Sequence, residues 1–177
     1  AHWSMGRIYT RSYASDLDAA RAEYEKAVAL NPNYADGFMS LALNFTYTGQ
    51  AEKAEGLIKK AMRMNPRYPF WYLHSLGSAQ FYLGQYRAAI ESYRKSIDRN
   101  PRVPWMRRYL AASYGHLGLK DEAEWEISEL ESLGQPTNIK EILKGYPVRN
   151  SEYRKAYIEG LRKAGFAEAP PSKPALK

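Results

Sequence analysis

A period of 34 to 35 residues runs through most of this chain, and it constrains the fold more than any other feature. Pro32, Pro66, Pro101 and Pro136 stand 34, 35 and 35 residues apart, and Asn precedes the first three. Ala20, Ala54, Ala89 and Ala123 recur at 34, 35 and 34, and Tyr24, Ile58, Tyr93 and Ile127 keep the same spacing. Gly49, Gly84 and Gly118 mark a turn inside the later units. A unit of this length cannot bury its apolar face alone, so successive units must stack into a continuous core.

Each repeated residue has a physical reason to be there. Between glycine and proline the apolar residues fall at helical spacing, as in Ala89, Ile90, Tyr93 and Ile97. Before each glycine lies a second helical stretch: Leu41 to Phe45, Leu76 to Phe81, and Leu110 to Tyr114. Glycine tolerates the left-handed backbone of a helix C-terminus. Proline lacks the N–H that would continue a helix and restricts the residue before it. Each unit is therefore read as two antiparallel helices. The small residues Gly77, Ala89 and Ala123 are expected where those helices cross closely.

The string Leu76-Gly77, Gly84, Tyr86, Ala89, Tyr93, Pro101 resembles the tetratricopeptide repeat (TPR) consensus. The second unit is similar at Phe38, Leu41, Ala42, Phe45, Gly49, Ala54, Ile58, Ala61 and Pro66. The first is similar from Ala20 to Pro32 and around Met5-Gly6 and Tyr9, with a connection near Ser12–Ser15 about two residues longer. The fourth is similar at Leu110, Ala111, Tyr114, Gly118 and Ala123, but has Leu130 where a small residue is usual. The resemblance implies an all-α superhelical solenoid of about four helix-turn-helix repeats, over residues 1–34, 35–68, 69–103 and 104–136.

Downstream, Thr137 or Asn138 is suited to cap a short helix with Ile139, Ile142 and Leu143, which Pro147 ends. Ser151 is then expected to cap a helix with Tyr153, Tyr157, Leu161 and Ala164 on one face, stopped by Gly165. Residues 137–166 are expected to cover the exposed apolar face of the fourth repeat, because solenoids need capped ends. Residues 167–177, with Pro170, Pro171 and Pro174, read as a disordered tail.

A narrower resemblance lies in Pro66-Arg67-Tyr68-Pro69-Phe70-Trp71-Tyr72-Leu73 and in Tyr157 to Gly165. Both phrases look like the C-terminal TPR regions of bacterial class III adenylate/guanylate cyclase-like proteins. That implies a regulatory or partner-binding region downstream of a catalytic domain. Nothing here resembles the cyclase catalytic motifs, so the activity itself is not carried over. Similar arrays also follow winged-helix DNA-binding domains in bacterial regulators. The chain opens on Ala1 rather than Met, and is read as a piece of a longer protein or a processed form.

In the TPR family the first helix of each repeat lines the concave face. The resemblance therefore implies a groove built from Trp3, Arg7, Thr10 and Arg11 of the first repeat. The second contributes Asp36, Met39, Leu43, Thr46 and Tyr47, and the third Trp71, His74, Ser78, Phe81 and Tyr82. The fourth contributes Trp105, Arg108, Ala112, Gly115 and His116. Aromatic and Arg side chains are over-represented in binding hot spots, which points to an extended protein segment, acidic with apolar anchors. Trp71 and Trp105 fall outside the consensus packing positions, whereas Tyr24, Tyr93, Phe45 and Tyr114 are assigned to the core. Met39, Leu43, Trp71 and Ser75 stand where chaperone-binding TPRs assemble a carboxylate clamp, so that mode is not expected.

Composition limits the other functions. Cysteine is absent, which removes disulfides, thiol chemistry and cysteine-held metals, and fits a reducing, cytoplasmic setting. No run approaches the roughly 18 apolar residues of a membrane helix. His2, His74 and His116 have no partner at metal-ligand spacing, and no GxSxG, Walker or GxGxxG motif occurs. No enzyme, cofactor or metal is therefore expected. The acidic pairs Asp121-Glu122 and Glu124-Glu126 read as a solvated helix face. The net charge is +7, of which residues 1–136 carry +2 and residues 137–177 carry +5. Arg107, Arg108, Arg154, Lys155, Arg162 and Lys163 could form a basic strip for nucleic acid. A third alternative is self-association, as a homo-oligomerising appendage to an upstream cyclase-like enzyme.

Overall fold

The computed structural model describes residues 16–170. Among these the chain is all-helical, with nine α-helices and no strand. α1 spans Leu17–Leu30, α2 Ala35–Tyr47, α3 Ala51–Met64, α4 Phe70–Tyr82 and α5 Tyr86–Arg99. α6 spans Pro104–Leu117, α7 Lys120–Ser132, α8 the single turn Ile139–Ile142, and α9 Ser151–Ala164. α2/α3, α4/α5 and α6/α7 pack as hairpins, and each hairpin leans on the next. α1 is the second helix of the first repeat. The first helix expected around Met5-Gly6 and Tyr9 lies outside the described residues.

The turns form where the residue chemistry allows them. Gly49, Gly84 and Gly118 hold φ values of 89°, 72° and 72°, a region where a Cβ crowds the following carbonyl. Gly77 has a different task. A Cβ there would stand 2.8 Å from the Tyr93 ring, so its absence lets α4 close on α5. Ala20, Ala54, Ala89 and Ala123 are fully buried at the equivalent crossings. Tyr24, Tyr93 and Tyr114 are buried as expected, and Phe45 packs partly buried against the same core.

The first helices α2, α4 and α6 also touch one another, while the second helices do so far less. The first-helix side is therefore the inner side of the curve. Inside the fourth hairpin, Glu126 corrects the reading of α7 as a solvated acidic face. Its carboxylate is buried and accepts from Arg107 Nη1 at 2.7 Å, while Arg107 Nη2 reaches Glu129 at 2.8 Å. Leu130, the departure from the small-residue pattern, is fully buried.

The C-terminal segment turns to the inner side. α9 packs chiefly on α6, the first helix of the fourth repeat. Two glycines allow this. A Cβ on Gly115 would stand 2.6 Å from the Ala164 nitrogen, and one on Gly160 would stand 2.8 Å from the Ala112 oxygen. The helix backbones thus approach more closely than side chains would permit. Asn150, not Ser151, is the N-cap, accepting from the Tyr153 N–H at 2.9 Å. Asn138 caps α8 by accepting from the Glu141 N–H at 3.0 Å. The tail expected from residue 167 does not start there. The Ile139 N–H donates to Ala167 O at 2.8 Å and the Lys140 N–H to Glu168 O at 3.0 Å. Ala167 and Glu168 are thus tied to α8, and Arg162 pairs with Glu168.

Candidate functional site

The inner-face positions of α4 and α6 have two different fates. Trp71, His74 and Ser78 on α4, and Trp105 and Arg108 on α6, border an open cleft of about 500 Å³. Further along the same helices, Phe81, Tyr82, Ala112 and Gly115 are buried and His116 is largely covered. Their cover is the chain's own C-terminal segment. Tyr153 stacks on Tyr82 at 4.3 Å between ring centroids, and Tyr157 lies 4.5 Å from Tyr109 and 6.2 Å from Phe81. His116 Nε2 is 2.8 Å from Ala156 O, and its ring stacks on Tyr86 at 4.2 Å.

The segment also reaches back to the second repeat. The Arg149 N–H donates to Tyr47 O at 3.0 Å, and Tyr153 Oη accepts from the Ala51 N–H at 3.1 Å. Tyr146 enters from the loop between α8 and α9. It stacks on Tyr157 at 4.7 Å and joins the hydroxyls of Tyr82 and Tyr109, the latter at 3.0 Å, while Tyr82 and Tyr109 bond at 2.8 Å. Three phenols satisfying one another answer the need of buried hydroxyls for partners. Burial raises the pKa values of all three, so they stay neutral.

The open cleft is therefore composite. Its floor and one wall come from first helices: Leu43, Thr46 and Tyr47 of α2, Trp71, His74, Ser75 and Ser78 of α4, and Trp105, Arg108 and Tyr109 of α6. The other wall comes from Ile142, the Lys144–Pro147 loop and Tyr157. Trp105 is half exposed, at 50%. The His74 ring packs against Tyr93, Trp105 and Tyr109. That burial holds its pKa down to about 4, so it is a neutral imidazole. Burial also lowers the Arg108 pKa, and among the described residues its only hydrogen-bond acceptor is Gln135 Oε1 at 3.3 Å.

Of the expected groove residues, Leu43, Thr46, Tyr47, Trp71, His74, Ser78, Trp105 and Arg108 line the cleft, and Phe81 and Tyr82 stand under the C-terminal segment. Met39 is a correction. It is fully buried among Phe38, Ala42, Ile58 and Tyr72, and is core. Trp3 and Arg7 lie outside the described residues. Sequence reasoning missed Tyr109, Lys144, Tyr146 and Tyr157 as cleft residues. Tyr153, Tyr157, Leu161 and Ala164 signalled an apolar face, but not which surface it would meet. Of the residues read as a basic strip, Arg107 is buried in its ion pairs and Arg108 borders the cleft. On α9, Lys155 and Lys163 pair with Glu152 and Glu159, Arg162 pairs with Glu168, and Arg154 lies over the Tyr146 ring. Among the described residues no group of three or more His, Asp or Glu could hold a metal, and no helix is long and apolar enough to cross a membrane.

The family model described as tetratricopeptide repeat matches residues 7–69 and 74–128. The chain belongs to the tetratricopeptide repeat family. Members of that family mediate protein–protein interaction. This TPR chain is 36% identical over 100 residues to the small glutamine-rich tetratricopeptide repeat-containing protein 2 of Mycosarcoma maydis. That match takes in 56% of this chain and 28% of the relative. It is 29% identical over 80 residues to the tetratricopeptide repeat-containing protein trd-1 of Caenorhabditis elegans, covering 45% of this chain and 10% of that one. The TPR chain thus spans less than a third of the length of these relatives. Its fold is similar to that of MamA, with a TM-score of 0.64 at 22% identity over 89% of this chain and 93% of that one. It is also similar to YrrB, described as a TPR protein with an unusual peptide-binding site, with a TM-score of 0.63 at 19% identity over 92% and 82%.

Proposed function

We propose that this chain is a protein-interaction module that takes a short segment of a partner protein in the inner cleft, and that it serves as a regulatory region of a larger bacterial signalling protein. The observation that carries the reading is the cleft of about 500 Å³ between three first helices, where the indole of Trp105 stays half exposed. Concave, mostly apolar sites with a few placed polar groups are where ligands bind, and Trp is prominent among hot spots. YrrB, of similar fold, is described as having a peptide-binding site. The larger signalling context rests on the resemblance of residues 66–73 and 157–165 to cyclase-like proteins.

The test is selection from a display library of random peptides, followed by fluorescence anisotropy with the selected peptides. A Trp71→Ala/Trp105→Ala double variant with unchanged helicity should bind them at least about 30-fold more weakly, the loss of one hot spot of about 2 kcal/mol. Equal affinity of variant and parent would move the site off this cleft. Reading the gene upstream of Ala1 tests the context, and a catalytic domain of another class there would overturn it.

A further inference from the structure

The cleft has an electrostatic bias and a closed end, and together they specify its ligand. Two cations, Arg108 and Lys144, border it, and no Asp or Glu does. Lys144 is partnered by Glu141 at 2.6 Å. Arg108 is not partnered by an acid. Its single acceptor is the neutral Gln135, and its Nε is buried without a hydrogen bond. Residues 1–15 and 171–177 contain no Asp or Glu, so none of their side chains can supply the missing carboxylate. A guanidinium held partly out of water beside aromatic rings, with no counter-charge, is an unfavourable arrangement that an incoming carboxylate relieves.

The neighbours of Arg108 fix the rest. Trp71, Trp105 and Tyr109 line the cleft with it and supply aromatic surface. His74, neutral because it is buried, adds no second positive charge. The Lys144–Pro147 loop and Tyr157 close the side on which a peptide would otherwise run on past Phe81 and Tyr82.

We infer that the cleft recognises a carboxylate beside an aromatic or large aliphatic side chain in a short segment of a partner protein, with Arg108 holding the carboxylate and Trp71 and Trp105 holding the apolar group. The segment enters a blind cleft and does not lie along the whole inner face. This rests on the proposed peptide-binding function and adds the chemistry of the ligand. Charge reading by a single bidentate-capable Arg gives the site its selectivity.

The experiment uses the full chain and capped hexapeptides of two kinds, one with a central Glu-Phe pair and one with Gln-Phe. Binding is read from the indole N–H signals of Trp71 and Trp105 by NMR. The Glu peptide is expected to bind at least about tenfold more tightly than the Gln peptide at low salt, with the preference shrinking as salt screens it. Arg108→Gln should erase the preference for the Glu peptide over the Gln peptide, and Arg108→Lys should retain part of it. Equal binding of the two peptides, or a preference that survives Arg108→Gln, overturns the inference while leaving peptide binding intact. If neither peptide shifts either indole, peptide binding in the cleft fails too. Phenylacetate binding as tightly as the Glu peptide would overturn the protein source of the ligand.

Discussion

The two ends of one concave face behave differently. At the Trp71 and Trp105 end the inner surface is an open cleft, with Trp105 at 50% exposure. At the Phe81, Tyr82 and His116 end, the same faces of the same helices are sealed by α9 and the loop before it. The two ends carry different side chains. Gly115 meets Gly160 and lets a helix lie flat on α6, whereas the indoles of Trp71 and Trp105 stand at the open end. A concave face in this fold is thus a surface that the chain can spend on itself.

The contrast breaks most severely at Tyr157, which is 2% exposed between the rings of Tyr109 and Tyr146. Tyr157→Ala should cost about 3–5 kcal/mol, as large aromatic truncations in cores do. Urea unfolding measures it, and a loss below about 1 kcal/mol would mean that the sealed end is not packed as described.

His74 stands at the edge of the open end, and its neutrality makes the second prediction. Its pKa is held near 4 by burial, against 6.5 for the free group. Above pH 6.5 both folded and unfolded chains carry it neutral, and it has no effect. As pH falls from about 6.5 to 4 the unfolded chain takes the proton first, so stability drops, and below about 4 the effect levels off. The full drop is about 3 kcal/mol. It is read as the difference between the pH profiles of parent and His74→Gln, and parallel profiles would show that the imidazole is solvated.

Gly160→Leu sharpens the comparison at the glycine contact. A Cβ there would lie 2.8 Å from the Ala112 oxygen, and overpacking of this kind costs about 1–3 kcal/mol. Amide exchange should speed up across residues 143–166 and stay slow in α4 and α5. Uniform loss of protection would show that the sealed end is inseparable from the repeats. The smallest effect is expected at the open end. Trp105→Ala should change stability by no more than about 0.5 kcal/mol, as at an exposed site, and reduce peptide affinity all the same. A large loss of stability would make Trp105 a packing residue.

Much of this was legible in the residues. The 34-residue period, the glycines at positive φ, and the close approach at Gly77 follow from local chemistry that survives in any context. Eight cleft residues were also legible, Leu43, Thr46, Tyr47, Trp71, His74, Ser78, Trp105 and Arg108, because a position on a repeated helix fixes the direction of its side chain. Met39 was not, since direction toward the inner side does not say whether Phe38, Ile58 and Tyr72 will crowd it. Glu126 was read as solvated, because a buried ion pair needs a partner 19 residues away on another helix.

The sequence by itself determined the units, their turns and the faces of their helices, since these depend on neighbours a few residues apart. Only the tertiary structure decided that α9 lies on α6 and not on the end of the array, and that Tyr146 and Tyr157 wall the cleft left open. The reason is physical. An apolar helix face is satisfied by any complementary surface it can reach, and the choice is made by close packing at Gly115 and Gly160, 45 residues apart.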